Sequence, residues 1–198
     1  MNWIAAFSGI PAILSGVTAG LLVVLENRKT RIWLLVMIYV WVAWLVALEM
    51  PLLLALVKLI AGWTACAILA YGPQRRITTA SSGMLPRGVI FRVIAVLLVS
   101  TAAVGLGRNP LLELSIVPAA IMTGGLQMAI LGMLQIGLAR DALGAGTGNL
   151  VLISGFEVVY TSLESSLAIM ALFACVHIAI ATAIAILGLG GTMEEDEA

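Results

Sequence analysis

The sequence predicts an all-α protein, a polytopic transmembrane helical bundle of about seven spans that forms one domain over residues 1–198. Composition is the first observation behind this prediction, because 62% of the residues are hydrophobic and only 10% are charged, whereas soluble domains carry about 25% charged residues. The second observation is that apolar runs long enough to cross a hydrocarbon core of ~30 Å recur along the chain. We therefore expect an integral membrane protein that contacts the lipid bilayer.

Composition also argues against several classes of function. The formal net charge is zero, and the basic residues occur in short segments rather than on one face, which excludes nucleic acid as a partner. Cys66 and Cys175 lie in apolar runs without a CxxC pattern or metal-ligand spacing, which indicates small core residues and no metal site. Few residues remain outside the apolar runs, so we expect no cofactor and no catalysis by this chain alone.

The first part of the chain is predicted to contain three spans. The initial apolar run has neither a basic leader nor a cleavage site, so we expect a retained span that ends at the basic turn of residues 26–31. The second run carries several aromatic residues, Tyr39 among them, which we interpret as interface anchors, core residues or lipid contacts. The third run follows Pro51 and contains Lys58 about two turns inside it. The three predicted spans cover about residues 3–25, 32–48 and 52–71.

The second part is predicted to contain four spans. The glycine-rich segment 140–149 lacks the Gly-Lys-Ser/Thr ending of a phosphate loop, and we interpret it as a turn. The apolar run of residues 150–189 would measure about 60 Å as one helix. The run therefore forms either two membrane spans or one span whose helix extends beyond the bilayer. We divide it into two spans near Glu164. The four predicted spans cover about residues 89–105, 116–138, 150–164 and 167–189.

Basic residues predict the orientation of the bundle. If each span crosses the membrane once, one side carries Arg28, Lys29, Arg31, Arg75, Arg76, Arg87 and Arg140. The opposite loops hold only Arg108. Because short cytoplasmic loops carry an excess of Lys and Arg, we expect the amino terminus outside and the carboxyl terminus inside the cytoplasmic membrane of a bacterium or archaeon.

Glu157 is the main candidate functional residue, because it lies in one of the most apolar parts of the chain. A carboxylate among lipid tails costs at least ~2.5 kcal/mol on insertion scales, so it should face protein or water. Ser154, Thr161 and Glu164 recur with it at three- and four-residue steps, which predicts a polar stripe on a helix, flanked by Tyr160. The stripe is a candidate proton or cation relay. The alternative is that Glu164 lies at the interface and only Glu157 is buried.

Three further polar residues are candidates for the same ion path. Lys58 either reaches the near headgroups with its long stem or pairs with a carboxylate such as Glu157, which lowers the cost of both charges. His177 is favoured as a hydrogen-bonded core residue over a metal ligand, because no second ligand is spaced for it, and it is also a candidate proton relay. Gln127 is favoured to hydrogen-bond between helices, with the lining of a water path as the alternative.

Two stretches carry a resemblance to a known family. Gly132-Met-Leu-Gln-Ile-Gly-Leu-Ala-Arg-Asp-Ala-Leu followed by Leu152-Ile-Ser-Gly-Phe-Glu157 is similar to a glycine-rich helix end, a basic loop and an intramembrane glutamate in small subunits of energy-converting complexes. The family includes subunit K of respiratory complex I, the NADH–quinone oxidoreductase, and component E of hydrogenase-4. Component E resembles this chain more closely, since it too has a lysine in its third span, where this chain has Lys58. The resemblance covers mainly residues 116–189.

The resemblance implies an all-helical subunit beside antiporter-like, proton-conducting subunits, with Glu157 in the position of the family's channel glutamate. The family places its two acids on separate spans, whereas Glu164 follows Glu157 by one short stretch, so the resemblance does not imply a second carboxylate in that role. No flavin, iron–sulfur or quinone motif is found, so redox chemistry belongs to partner subunits.

These observations lead to two main hypotheses. The first is a non-catalytic subunit of a redox-driven proton or cation pump, with Glu157 in the ion path. The second is a structural or assembly subunit of a respiratory or photosynthetic membrane complex, with no transport role of its own. A third, an independent small transporter, predicts an internal repeat, and the two halves show no convincing match.

Overall fold

The computed structural model describes residues 3–72, 88–108, 117–164 and 166–193, with side chains from residue 9 to residue 187 of these ranges. Within them it contains seven helices and no strand: α1 Trp3–Val24, α2 Arg28–Glu49, α3 Leu52–Tyr71, α4 Val89–Gly107, α5 Ala119–Leu138, α6 Ala142–Thr161 and α7 Leu167–Met193. By length and composition, α2 to α7 can each cross a membrane, and α1 adds the shorter apolar stretch Gly9–Val24. The predicted transmembrane helical bundle is therefore confirmed.

Predictions about the boundaries of the sixth and seventh spans have different outcomes. The apolar run of residues 150–189 is divided as expected, because α6 ends at Thr161 and α7 begins at Leu167. The predictions that residues 140–149 form a turn and that the sixth span begins at residue 150 were wrong, since α6 begins at Ala142. A backbone in lipid must satisfy its hydrogen bonds internally, which favours a helix even where glycines recur.

Glycines bring α5 and α6 into close contact. A Cβ added to Gly132 would lie 2.6 Å from Leu152 N and 2.7 Å from Gly148 O. A Cβ on Gly155 would lie 2.5 Å from Ala129 N. Because small residues let helix backbones approach each other, these glycines allow α5 and α6 to pack closely.

Ion pairs gather several helix termini at one end of the bundle, here called the basic end. Arg31 Nη1 lies 3.0 Å from Asp141 Oδ1, which joins the start of α2 to the start of α6. Arg92 Nη2 lies 2.6 Å from Glu26 Oε1, and Arg140 Nη1 lies 3.9 Å from the same oxygen. The start of α4 and the end of α5 therefore meet the segment that follows α1, as expected for helices that alternate in direction.

Arg28 links the carboxyl-terminal end of α3 to the basic end. Its Nη2 donates to the carbonyl oxygens of Leu69, Ala70 and Gly72 at 3.2, 3.1 and 2.7 Å. The last carbonyls of a helix lack partners within the helix, so a guanidinium there stabilises its end. Arg28, Arg31 and Arg140 thus share one side, as predicted. Three further arginines assigned to that side lie outside the described residues: Arg75, Arg76 and Arg87.

The two cysteines have different environments. Cys66 is buried, so the expectation of a small core residue is confirmed for it. Cys175 is exposed, and the same expectation was wrong there, because α7 turns that face away from the bundle. Membrane helices place small apolar side chains towards lipid as well as protein.

Candidate functional site

A charged pair lies in the interior of the bundle. Lys58 of α3 and Glu157 of α6 form an ion pair through Nζ and Oε2, and their side chains are 1% and 0% exposed. The sequence left Lys58 between two interpretations, an amine that reaches the headgroups and an amine paired with an acid such as Glu157. The pairing is confirmed. In an environment of low dielectric, each charge lowers the cost of burying the other.

His177 of α7 lies beside this pair and is wholly buried. Its Nδ1 lies 2.7 Å from the Phe173 carbonyl oxygen one turn earlier, so Nδ1 carries a proton and donates it. Nε2 is left as the acceptor of the neutral ring and lies 3.1 Å from Ser154 Oγ. Lys58 Nζ lies beside the ring, 3.2 Å from Nε2 and 3.4 Å from Nδ1. The prediction of a hydrogen-bonded core histidine is confirmed.

Tyr39 of α2 lies on a further side of the ammonium group. Lys58 Nζ is 5.6 Å from the centroid of the Tyr39 ring, within reach of a cation–π interaction. The same ring meets His177 edge-on, with centroids 5.7 Å apart. Gly62, one turn after Lys58 on α3, makes room for it, since a Cβ there would overlap the ring. We call Lys58, Glu157, His177, Ser154 and Tyr39 the Lys58 cluster.

The Lys58 cluster extends from near the end opposite the basic end to the middle of the bundle. At 1.5 Å per residue, Lys58 is about 9 Å from the start of α3, and Glu157 is about 6 Å from the end of α6. His177 and Tyr39 are each about 15 Å from the nearer end of their helices. The polar groups therefore follow one another inward rather than forming a ring at one depth.

Helix α6 buries most of the predicted polar stripe. Ser154, Glu157 and Thr161 are 1%, 0% and 4% exposed, whereas Glu164 is exposed beyond the end of the helix. The alternative that Glu164 lies outside the buried part is therefore the correct one. Ser162 lies between, and its Oγ and Glu157 Oε1 are buried atoms with no hydrogen-bond partner among the described residues.

Two predicted site residues are not part of the Lys58 cluster. Tyr160 stacks on Phe156 with ring centroids 5.8 Å apart and meets Phe173 edge-on at 6.0 Å. Gln127 packs against Gly16 of α1, where an added Cβ would overlap its amide. This contact places Gln127 between α5 and α1, and its hydrogen bonding between helices stays a prediction.

Sequence reasoning missed Tyr39 and Gln135. Tyr39 was grouped with the aromatic residues of its span, although its position ten residues from the end of α2 places a hydroxyl far from either interface. Gln135 is 2% exposed, and its Nε2 lies 3.4 Å from the Gly144 carbonyl oxygen. The depth of a polar side chain within its span is the signal that could have found both.

Comparisons of the chain with protein-family models, curated proteins and solved structures find no match. Among the described residues, no three side chains of His, Cys, Asp or Glu are grouped so as to hold a metal ion. The fold and the site together define an integral membrane helical bundle that encloses a lysine in contact with both a glutamate and a histidine.

Proposed function

We propose that the chain is a non-catalytic, ion-conducting membrane subunit of a redox-driven proton or cation pump, and that the ion path runs through the Lys58 cluster. The observation that supports this best is one buried ammonium in contact with both a carboxylate and an imidazole nitrogen. A charged residue at the centre of a membrane helix costs about 2.5–3.5 kcal/mol to insert, and ionisable residues at such depths commonly mark ion pathways. Helix packing does not require three buried titratable groups at one site, so their presence favours a role in ion transport.

A proton can move within the Lys58–Glu157 pair without creating net charge. Transfer from Lys58 Nζ to Glu157 Oε2 converts an ammonium and a carboxylate into an amine and a carboxylic acid, and the pair is neutral in both forms. The net charge of the pair changes only when a proton enters it from another group or leaves it for another group. A pair with this property can hold a proton between two transfer steps, and buried lysines are known to exchange protons readily.

His177 and Ser154 extend the relay towards the middle of the membrane. Because Nδ1 donates to the Phe173 carbonyl, Nε2 is the atom that can accept a proton from Lys58. The Ser154 hydroxyl, 3.1 Å from Nε2, can both donate and accept a hydrogen bond. The hydroxyl therefore adds one more polar group to the relay beyond the imidazole.

The outer end of α6 offers access to Glu157 from the side opposite the basic end. Thr161 and Ser162 lie between Glu157 and the exposed Glu164. Glu157 Oε1 and Ser162 Oγ have no hydrogen-bond partner among the described side chains and backbone. Buried polar atoms of this kind are natural partners for water, and a proton can follow such contacts from the surface to the pair.

Assignment to a redox-driven complex rests on the resemblance to hydrogenase-4 component E and complex I subunit K. In this assignment, electrons move in partner subunits, and antiporter-like subunits lie beside this chain. The arginines of the basic end favour a cytoplasmic location for that end. The amino terminus is then outside the cytoplasmic membrane of a bacterium or archaeon, and the carboxyl terminus is inside.

The substitution Glu157→Gln tests the conducting role, because it keeps the shape of the side chain and removes the carboxylate. Glu49→Gln is the matched control, since Glu49 is exposed at the same end of the bundle. Respiration-driven proton uptake is measured with a pH-sensitive dye in inverted vesicles from native membranes. We expect uptake in Glu157→Gln to fall to the level of vesicles without the chain, and uptake in Glu49→Gln to stay at the wild-type level.

Unchanged uptake in Glu157→Gln, at wild-type abundance of the protein, would reject the conducting role. The alternative, a structural or assembly subunit, would then stand. Copurification from the same membranes identifies the partner subunits and so tests the assignment to a redox complex separately.

A further inference from the structure

A second group of polar side chains leads from the basic end towards the Lys58 cluster. Arg31, 4% exposed, pairs with Asp141, and its Nη1 would lie 2.9 Å from a Cβ on Gly144. The Gly144 carbonyl oxygen accepts hydrogen bonds from Gln135 Nε2 at 3.4 Å and Thr147 Oγ1 at 3.1 Å. We call Arg31, Asp141, Gln135 and Thr147 the Arg31 cluster.

The Arg31 cluster reaches from the surface into the bundle. The Asp141 side chain is 32% exposed, whereas Gln135 and Thr147 are 2% and 0% exposed. Thr147 is about 9 Å further along α6 than Asp141, at 1.5 Å per residue. A polar route of about two helical turns therefore leads inward from the basic end.

The Arg31 and Lys58 clusters share one face of α6. Thr147 and Ser154 are two helical turns apart, so their side chains point in nearly the same direction, about 10 Å from each other along the axis. Between them lie Leu150 and Val151, which are 0% and 1% exposed and belong to the hydrophobic core. A single apolar layer thus separates two polar half-routes that begin at opposite ends of the bundle.

We infer that the Arg31 cluster is the second access route of the ion path, and that Leu150 and Val151 form the barrier between the two routes; this inference rests on the proposed function. A proton from the basic end passes from Asp141 by water along Gln135 and Thr147, crosses the apolar layer, and reaches His177 Nε2. Only the proton changes place, and no group is oxidised or reduced. A continuous polar path across the membrane would let ions flow back and dissipate the ion gradient. A pump therefore requires an apolar barrier between its two water-accessible routes.

Silver-ion accessibility of single cysteines tests the two routes without any need for transport. In the full-length chain with Cys66→Ala and Cys175→Ala, the substitutions Thr147→Cys, Ser154→Cys and Val151→Cys place thiols in the two routes and in the barrier. The control is Thr182→Cys, an exposed position of α7 whose hydroxyl donates to Ile178 O of the same helix at 2.8 Å. Protein in right-side-out and in inverted native vesicles is treated with Ag⁺, and the remaining thiol is then quantified.

The inference predicts that Thr147→Cys reacts only from the side of the basic end and Ser154→Cys only from the opposite side. Val151→Cys and Thr182→Cys should react slowly from both sides. The inference is overturned if Thr147→Cys reacts no faster than Thr182→Cys, or if Thr147→Cys and Ser154→Cys react from the same side.

Proton uptake in the Thr147→Val and Gln135→Leu variants separates this inference from the proposed function. Both substitutions roughly conserve volume and remove the polar atoms, and both should lower uptake, whereas Thr182→Val should not. If Glu157→Gln abolishes uptake but Thr147→Val and Gln135→Leu leave it unchanged, the second route is wrong and the conducting role stands. If Glu157→Gln has no effect while the silver pattern appears as expected, the conducting role is wrong and the two-sided access stands.

Discussion

Removal of one charge from the Lys58–Glu157 pair should destabilise the protein far more than removal of both. In Glu157→Met, Lys58 loses its carboxylate but keeps His177 Nε2 at 3.2 Å and the Tyr39 ring at 5.6 Å. In Lys58→Met, Glu157 loses the partner of Oε2, and Oε1 has none among the described residues. We therefore expect Lys58→Met to be the more destabilising of the two.

The expected size follows from the environment of the pair. A buried charge left without its partner costs about 3–5 kcal/mol, whereas apolar replacement of a whole buried pair is often neutral or stabilising. The two remaining contacts place Glu157→Met near the lower limit of that range, because a desolvated cation–π contact alone contributes about 2 kcal/mol. If the two effects were independent, the double variant would lose about 6–8 kcal/mol. We expect it to be within about 1 kcal/mol of the wild type.

The assay is equilibrium unfolding of the purified chain in mixed micelles by increasing fractions of sodium dodecyl sulfate, followed by circular dichroism. The four free energies of unfolding form a double-mutant cycle, which isolates the interaction between the two side chains. Additive losses in the double variant would mean that the two charges do not stabilise each other. Single variants of wild-type stability would mean that the site is hydrated rather than buried.

Three further predictions concern residues around the site. Tyr39→Phe should lower stability in thermal unfolding less than Tyr39→Leu, because Phe keeps a ring beside Lys58 Nζ whereas Leu does not. Equal effects of the two variants would contradict the role given to the ring. Gly132→Leu should prevent α5 from packing on α6 and abolish folded protein in detergent, whereas Gly137→Leu should not, since a Cβ on Gly137 meets nothing within 4 Å; folded Gly132→Leu would contradict the close approach. Arg28→Met should speed hydrogen exchange at the end of α3, where Arg28 bonds three carbonyl oxygens, and unchanged exchange there would show that the guanidinium does not stabilise this end.

Much of the fold was predictable because the bilayer restricts the choice of structure. Apolar runs of membrane length must be helices or closed barrels, and their spacing predicted the seven helices. The prediction failed at the start of α6, where three glycines in five residues, Gly144, Gly146 and Gly148, suggested a turn. In water glycine disfavours a helix, but in this bundle its lack of a side chain lets α6 approach α5 and α7.

The candidate site was predictable only in part. Helical periodicity placed Ser154, Glu157 and Thr161 on one face of α6, and the cost of isolated charges in lipid suggested a partner such as Lys58. Neither argument identifies which helices are neighbours, so the contacts of Lys58 with His177 and Tyr39 required the tertiary structure. A periodic pattern specifies which face of a helix is polar, whereas the partners of that face depend on how the helices pack.

In the proposed ion path, a proton in transit resides on Glu157. Infrared difference spectroscopy of native membranes, recorded between resting and respiring states, tests it directly, because a protonated carboxyl group has a carbonyl stretch that a carboxylate lacks. We expect a carboxyl band that changes during turnover and disappears in Glu157→Gln while it persists in Glu49→Gln. A band that remains in Glu157→Gln would assign the transported proton to a group other than Glu157.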